Sequence, residues 1–406
     1  MKNICLYFQV HQPFRLNSYS FFQIGSDEAY FDDMMNRDIL RRVAYNCYLP
    51  FNGLLLRLIE ATGYRLQVSF SLSSTVIEQL LWYAPEVLDS FRALVATGCV
   101  ELLGETAAHS LAAIVSEKEF REQVRAHTHL IYDVFGQMPQ TFRNTELIYA
   151  DSIAPIINDL GFDTILADAG HDVLQWRSSN YIYGAAGCPA VKLLLKNGQL
   201  SDDIAFRFAD RGWKEWPLSP DRYISWLNAI PGNEQLLNLF MDYETFGEHM
   251  PASSGIYEFM EMFILQALAA GYTFITPQAA GALLPVKAVI SIPSYTSWAD
   301  TEKDLSAWLG NDMQRDAFDT LYGLEEQVRQ IKNEPDIYTI WKRLQNSDHF
   351  YYMSTKGLSD GDVHRYFSPY SSPFEAFINY MNILTDFSAK VAERSKKRLS
   401  CKGMYI

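Results

Sequence analysis

The sequence predicts an α/β fold built on a parallel sheet and followed by a helical segment. Two observations carry this. Short apolar runs of strand length alternate with amphipathic helical stretches about seven times over the first two thirds of the chain. From about Asp304 to Arg398 the strand-like runs stop and helical periodicity takes over. A closed barrel is the economical arrangement for that many strand–helix units, and an open doubly wound sheet is the alternative. The boundary falls between residues 285 and 300, giving a sheet domain over 1–290 and a helical domain over 291–406 that packs on it through its apolar faces.

The strand runs are, in order, residues 3–10 (NICLYFQV), 65–72 (RLQVSFSL), 99–104 (CVELLG), 140–147 (QTFRNTEL), 162–168 (FDTILAD), 190–196 (AVKLLLK), 235–242 (QLLNLFMD) and 272–277 (YTFITP). Between them, SEKEFREQVRAHTHLIYDVFG opens on Ser116 with Glu119 three residues on, a capping-box spacing. SSGIYEFMEMFILQALAAG closes on Gly271, a helix-end signal. No G-x-G-x-x-G or phosphate-binding loop follows a strand, which disfavours nucleotide chemistry.

The chain has 406 residues, 48% of them hydrophobic and 20% charged, as in ordinary globular proteins. Its net charge of −14, with no basic cluster, repels nucleic acid and anionic membrane surfaces; neutral small molecules or neutral polymers suit it better. The N-terminal MKNICLYFQVHQP is too short in its apolar run, and too polar, for a signal peptide, and the sequence predicts a cytoplasmic protein. No apolar stretch approaches the roughly 20 residues that span a bilayer. Cysteines 5, 47, 99, 188 and 401 are odd in number and widely spaced, which predicts reduced thiols rather than a disulfide framework or zinc knuckle. Aromatic residues make up 14% of the chain, and such rings can lie on the apolar faces of sugars.

In a parallel barrel the active site gathers at the C-terminal strand ends. The first strand ends in VHQPFR with His11. The third runs into LLGETAAHS with Glu105 and His109, the fourth into FRNTELIYAD with Glu146, and the seventh into Asp242 of MDYETFGEH. Carboxylates from different strands suit glycosidic bond cleavage, one attacking the anomeric carbon and the other protonating the leaving oxygen. The retaining pathway needs them about 5–5.5 Å apart.

The stretches VHQPFR, LLGETAAHSLA, RNTELIYAD, MDYETFGEH and SDHFYYM resemble, in order, the five sequence regions of glycoside hydrolase family 57, and SWADTEKDLSAWLGN is similar to a further stretch of its α-amylase-like branch. The resemblance implies a (β/α)7 TIM-like barrel with an attached C-terminal helical bundle. It implies retaining action on α-glucans or malto-oligosaccharides, without a metal cofactor. It makes Glu146 the nucleophile and Asp242 the general acid/base, has His11 contact the sugar at the cleavage point, and brings Asp348 and His349 to the cleft from the helical part. Transferase members carry Glu-Pro in the second region where this chain has Ala108-His109. That disfavours glucan transfer and offers His109 as a substrate contact.

Glu105 is divided between a substrate contact and a backbone partner. Alternation along the strand places Glu244 on the side of Asp242, as an orienting or sugar-binding residue. Glu248 and His249 read as rim, and Gly247 as the turn. Trp213 and Trp216, in the long connection DRGWKEWPLSPDRYISW, are sugar-platform candidates. Trp298 is divided between a sugar platform and packing at the domain junction. Four functions remain in view: α-glucan hydrolysis, glucan transfer or branching, metal-dependent polysaccharide deacetylation, and non-catalytic carbohydrate binding. Deacetylation needs an Asp and two histidines, commonly four apart on a helix. His127 and His129 are two apart, and no H-x-x-x-H occurs.

Overall fold

The computed structural model describes residues 2–26, 29–356 and 368–403. The chain packs as two compact units: Met1–Gln12, Arg37–Ala107 and Arg121–Trp298 form the first, and Pro13–Asn36, Ala108–Phe120 and Ala299–Ile406 the second.

The first unit is an α/β structure with strands β1 (Asn3–Val10), β2 (Val68–Leu72), β3 (Val100–Leu102), β4 (Thr141–Arg143), β5 (Thr164–Ala167), β6 (Ile182–Ala185), β7 (Cys188–Leu195), β8 (Leu236–Asp242), β9 (Thr273–Phe274) and β10 (Val286–Ile290). They form two five-stranded sheets, β3-β2-β1-β8 with β9 also on β1, and β10-β6-β7-β5-β4. Hydrogen bonds join the sheets at two seams. Gly104 N–H donates to Thr141 O (2.9 Å) and Arg143 N–H to Gly104 O (2.8 Å); Asn197 N–H donates to Asn238 O (2.9 Å) and the Asn238 amide to Leu195 O (2.9 Å).

Both faces of β1 are buried, which explains why it is mostly apolar. Ile4, Leu6, Phe8 and Val10 pack into a cluster with the flanking helices. Cys5 and Tyr7 join a second cluster with Leu103, Leu166, Leu194 and Phe240, drawn from both sheets. A strand buried on both faces loses the polar/apolar alternation of a half-exposed one.

Two strands go beyond the sequence reading. β6 and β7 are antiparallel, so the sheet is mixed rather than wholly parallel. Their connection is the two-residue Ala186–Gly187, with Gly187 at φ 74°, and so short a link joins only antiparallel neighbours. β10 lies inside the segment read as a domain boundary; its run VKAVI is mostly apolar, yet four of its five residues are exposed. The fourth run is also shorter than expected: β4 stops at Arg143 and the chain turns at Thr145–Leu147.

Gly247 occupies a turn that no side chain fits. Its φ is 121°, and a Cβ there would lie 1.9 Å from Asn46 O. Gly247→Ala should cost about 3 kcal/mol or more, read as a lowered denaturation midpoint; an unchanged midpoint would contradict this packing.

The second unit is mainly helical in its C-terminal part, with helices Asp312–Tyr322, Pro335–Leu344, Ser347–Tyr351 and Pro373–Gly403. Two earlier segments are bound to it through side-chain bonds. Asn379 accepts from Tyr19 N–H (2.6 Å) and Asp386 from Gly25 N–H (2.6 Å). Ser347 N–H donates to His109 O (2.9 Å). Ser116 caps its helix, accepting from Glu119 N–H at 3.1 Å, while the Glu119 carboxylate accepts from Arg329 (2.6 Å) and Gln345 (3.2 Å). Among the described residues no helix is long and apolar enough to cross a membrane.

Candidate active site

Burial picks out three residues in the first unit. Residues 141–150 are buried except Glu146, 236–247 except Asp242, and 4–16 except His11. Each follows or ends a strand. Sheet register aligns Gln9 with Asp242, so His11 follows β1 at the same sheet edge where Asp242 ends β8.

Glu146 sits in the turn after β4 at φ 56°, ψ 26°, and Leu147 follows at φ 53°. Two successive side-chain-bearing residues in left-handed conformation cost about 1–2 kcal/mol each. Trp298 grips Glu146 twice: its backbone N–H donates to Glu146 O (3.2 Å) and its indole N–H to Glu146 Oε2 (2.7 Å). Reciprocal Tyr149–Thr296 backbone bonds of 3.0 and 2.8 Å hold the Trp298 segment alongside.

Asp242 ends β8, and the chain then enters a tight turn over Tyr243–Thr245. Strand alternation therefore does not govern Glu244, contrary to the sequence reading; the turn buries it instead. Glu244 Oε1 accepts from His11 N–H (3.2 Å) and from the Tyr48 hydroxyl. The His11 Nδ1 is 2.7 Å from Ser73 Oγ. Burial, and next the charge of Asp242, push the Glu244 carboxyl up to about 8.

Glu244 thus holds a proton in the folded protein that the unfolded chain releases near 4.5. Its folded value is raised, so its contribution to stability is lost as pH rises from that value through about 8. Glu244→Gln should lose less stability than the parent between pH 5 and 8, by up to about 4 kcal/mol. Denaturant titrations across that range check this; parallel pH slopes for the two proteins would contradict it.

Beneath the strand ends lies a buried charge group. Glu105, Arg143 and His127 are each 0% exposed. The His127 Nδ1 accepts from Glu105 N–H (3.2 Å) and its Nε2 is 2.9 Å from Leu72 O, an acceptor only, so the ring is the neutral Nε2–H tautomer. The 3.8 Å approach of His127 to the Glu105 carboxylate is therefore no ion pair, and Arg143, at 3.6 Å, is the counter-charge. The Arg143 guanidinium lies 5.1 Å from the Trp298 ring centre, and the Lys196 ammonium 5.3 Å from the same ring.

The other candidates are placed elsewhere. Trp213 packs edge-on against Trp226 with Arg207 over its ring, and Trp216 is exposed with Arg211 over its ring. Glu248 pairs with Arg42 at 2.7 Å. His109 (φ 50°), Asp348 and His349 all belong to the second unit, where Asn346 accepts from Asp348 N–H (3.0 Å) and the His349 ring lies tilted against Tyr380. Sequence reasoning passed over Arg143, Lys196 and Asp168. Each ends or directly follows a strand (β4, β7, β5), so the strand-end rule applied to every strand would have listed them. Among the described residues no group of three His, Cys, Asp or Glu is placed to hold a metal ion, and Cys5, Cys47, Cys99 and Cys188 are free thiols.

An α/β structure in which three otherwise buried strand-end segments each open at a single carboxylate or histidine has the build of an enzyme whose chemistry is done by side chains. The description "Glycosyl hydrolase family 57" matches residues 5–293. The chain is 41% identical over 400 residues, 95% of its length and 84% of the relative's, to the "Putative alpha-amylase" of Methanocaldococcus jannaschii. The chain belongs to glycosyl hydrolase family 57 and is a glycoside hydrolase. Its fold is similar to that of a family 57 branching enzyme from Pyrococcus horikoshii (12% identity, TM-score 0.71, 95% of this chain and 88% of that one) and of the α-amylase AmyC from Thermotoga maritima (11% identity, TM-score 0.63, 97% and 94%).

Proposed function

We propose that this protein hydrolyses α-1,4-glucosidic bonds of malto-oligosaccharides or larger α-glucans with retention of configuration. The carrying observation is that Glu146 and Asp242 are the half-exposed members of otherwise buried strand-end segments. A carboxylate that must meet a sugar needs an opening; one that only holds the fold does not. The relative named as an alpha-amylase supports an α-glucan substrate.

In this reading Glu146 is the nucleophile. Trp298 fixes its carboxylate from one side, so the attacking oxygen is presented without a search over rotamers. Asp242 is the acid/base. Glu244 keeps a proton at neutral pH, so it adds no second negative charge near Asp242. His11, tied to Glu244 and Ser73, is held where a sugar hydroxyl would meet it. Asp348, His349 and His109 are assigned to further substrate contacts, and Trp213 or Trp216 to outer sugar contacts. The two sheets, joined at both seams around a shared cluster, are the (β/α)7 barrel of this reading, and the helices of the second unit are its bundle.

Incubation with maltoheptaose tests this. Glucose and shorter maltodextrins, with no chain longer than the substrate, are expected. Products longer than seven glucose units, or α-1,6 branches, would assign transfer or branching instead.

A further inference from the structure

We propose that Arg143 is a positioning residue for Glu146, acting through Trp298; the proposal rests on Glu146 being the nucleophile. Arg143 is the last residue of β4 and fully buried, yet Nε and both terminal nitrogens lack hydrogen-bond partners. Its nearest carboxylate, Glu105, is at 3.6 Å, in ion-pair range but beyond a hydrogen bond. An arginine kept only for packing would spend its five donors on carbonyls, because burying them unused is costly. What this one faces instead is the Trp298 ring, with Lys196 over the same ring.

A cation over an indole is drawn to its electron-rich face and pulls density from the ring. Two consequences follow. The ring is held in place, and its N–H becomes a stronger donor toward the group it serves, Glu146 Oε2 at 2.7 Å. The chain of contacts therefore runs from Glu105 through Arg143 and Trp298 to Glu146. Glu105 anchors the far end, and neutral His127 adds no competing charge. Through this chain β3 and β4 control the orientation of a carboxylate that itself sits in a strained turn.

Arg143→Met keeps much of the side chain's reach and removes its charge. It should lower kcat on maltoheptaose by about 10–100-fold with KM changed less than about two-fold, since the substrate does not meet Arg143. Arg143→Lys should recover activity to within about three-fold of the parent, because an ammonium over the ring serves the same purpose. Trp298→Phe should fall as far as Arg143→Met, and the double variant no further, because both act along one line. A parental kcat in Arg143→Met, a Lys variant as poor as Met, or losses that multiply in the double variant would overturn the proposal. Should Arg143→Met fail to fold through the stranded Glu105 charge, Glu105→Gln/Arg143→Met measured against Glu105→Gln carries the same comparison. Glu146→Ala separates the two readings. If it is inactive and azide restores turnover, Glu146 stands as nucleophile whatever Arg143 does; if it retains activity, the nucleophile assignment itself fails.

Discussion

Glu146→Gln is expected to lose turnover of maltoheptaose by about 10⁴-fold or more, equivalent to about 5 kcal/mol or more of transition-state stabilisation. The substitution is isosteric, and the amide oxygen can still accept the Trp298 indole N–H, so the turn at Thr145–Leu147 should persist. A far-ultraviolet spectrum and thermal midpoint close to those of the parent would show that chemistry, not fold, was lost. Substrate affinity of the inactive variant, read by titration with maltoheptaose, should stay within a few-fold. Hydrolysis within ten-fold of the parent would remove Glu146 from the nucleophile role.

Asp242→Asn should show a different pattern, because the acid/base matters in proportion to how poor the leaving group is. On maltoheptaose, whose leaving group needs a proton, the loss should be about 10²–10⁴-fold. On an α-glucosyl fluoride, which departs unprotonated, formation of the glycosyl-enzyme should be much less affected, leaving its breakdown slow until azide replaces water as acceptor. Equal losses on both substrates would place Asp242 outside proton transfer. The proton on Glu244 bears on the same experiment: parental activity should decline above about pH 8 as Glu244 ionises and adds a negative charge near Asp242.

Much of the fold was readable from local patterns. β1 and β8 match their apolar runs nearly to the residue, since both are buried on two faces and are mostly hydrophobic. Gly271, at φ 87°, stands where a helix-ending glycine was expected. β6 and β10 were not read as strands, one joined to its neighbour by a two-residue hairpin and the other an apolar run inside the segment read as a domain boundary. The burial contrast that marks Glu146 and Asp242 sits at two motifs already visible as polar residues ending apolar runs. The grip of Trp298 on Glu146 was not legible, because it joins residues 152 positions apart and depends on a left-handed turn that no glycine announces. Arg143 lay inside the FRNTEL motif and escaped notice because buried charge is invisible to a search for exposed chemistry.

The central claim is that bond cleavage proceeds through a covalent glycosyl-enzyme on Glu146. The most direct test is to trap that intermediate with a 5-fluoro-α-glucosyl fluoride, digest the protein and locate the added mass by tandem mass spectrometry. The account predicts one labelled peptide with the sugar on Glu146. A label on Asp242 or another residue, or steady consumption of the reagent with no label formed, would contradict it.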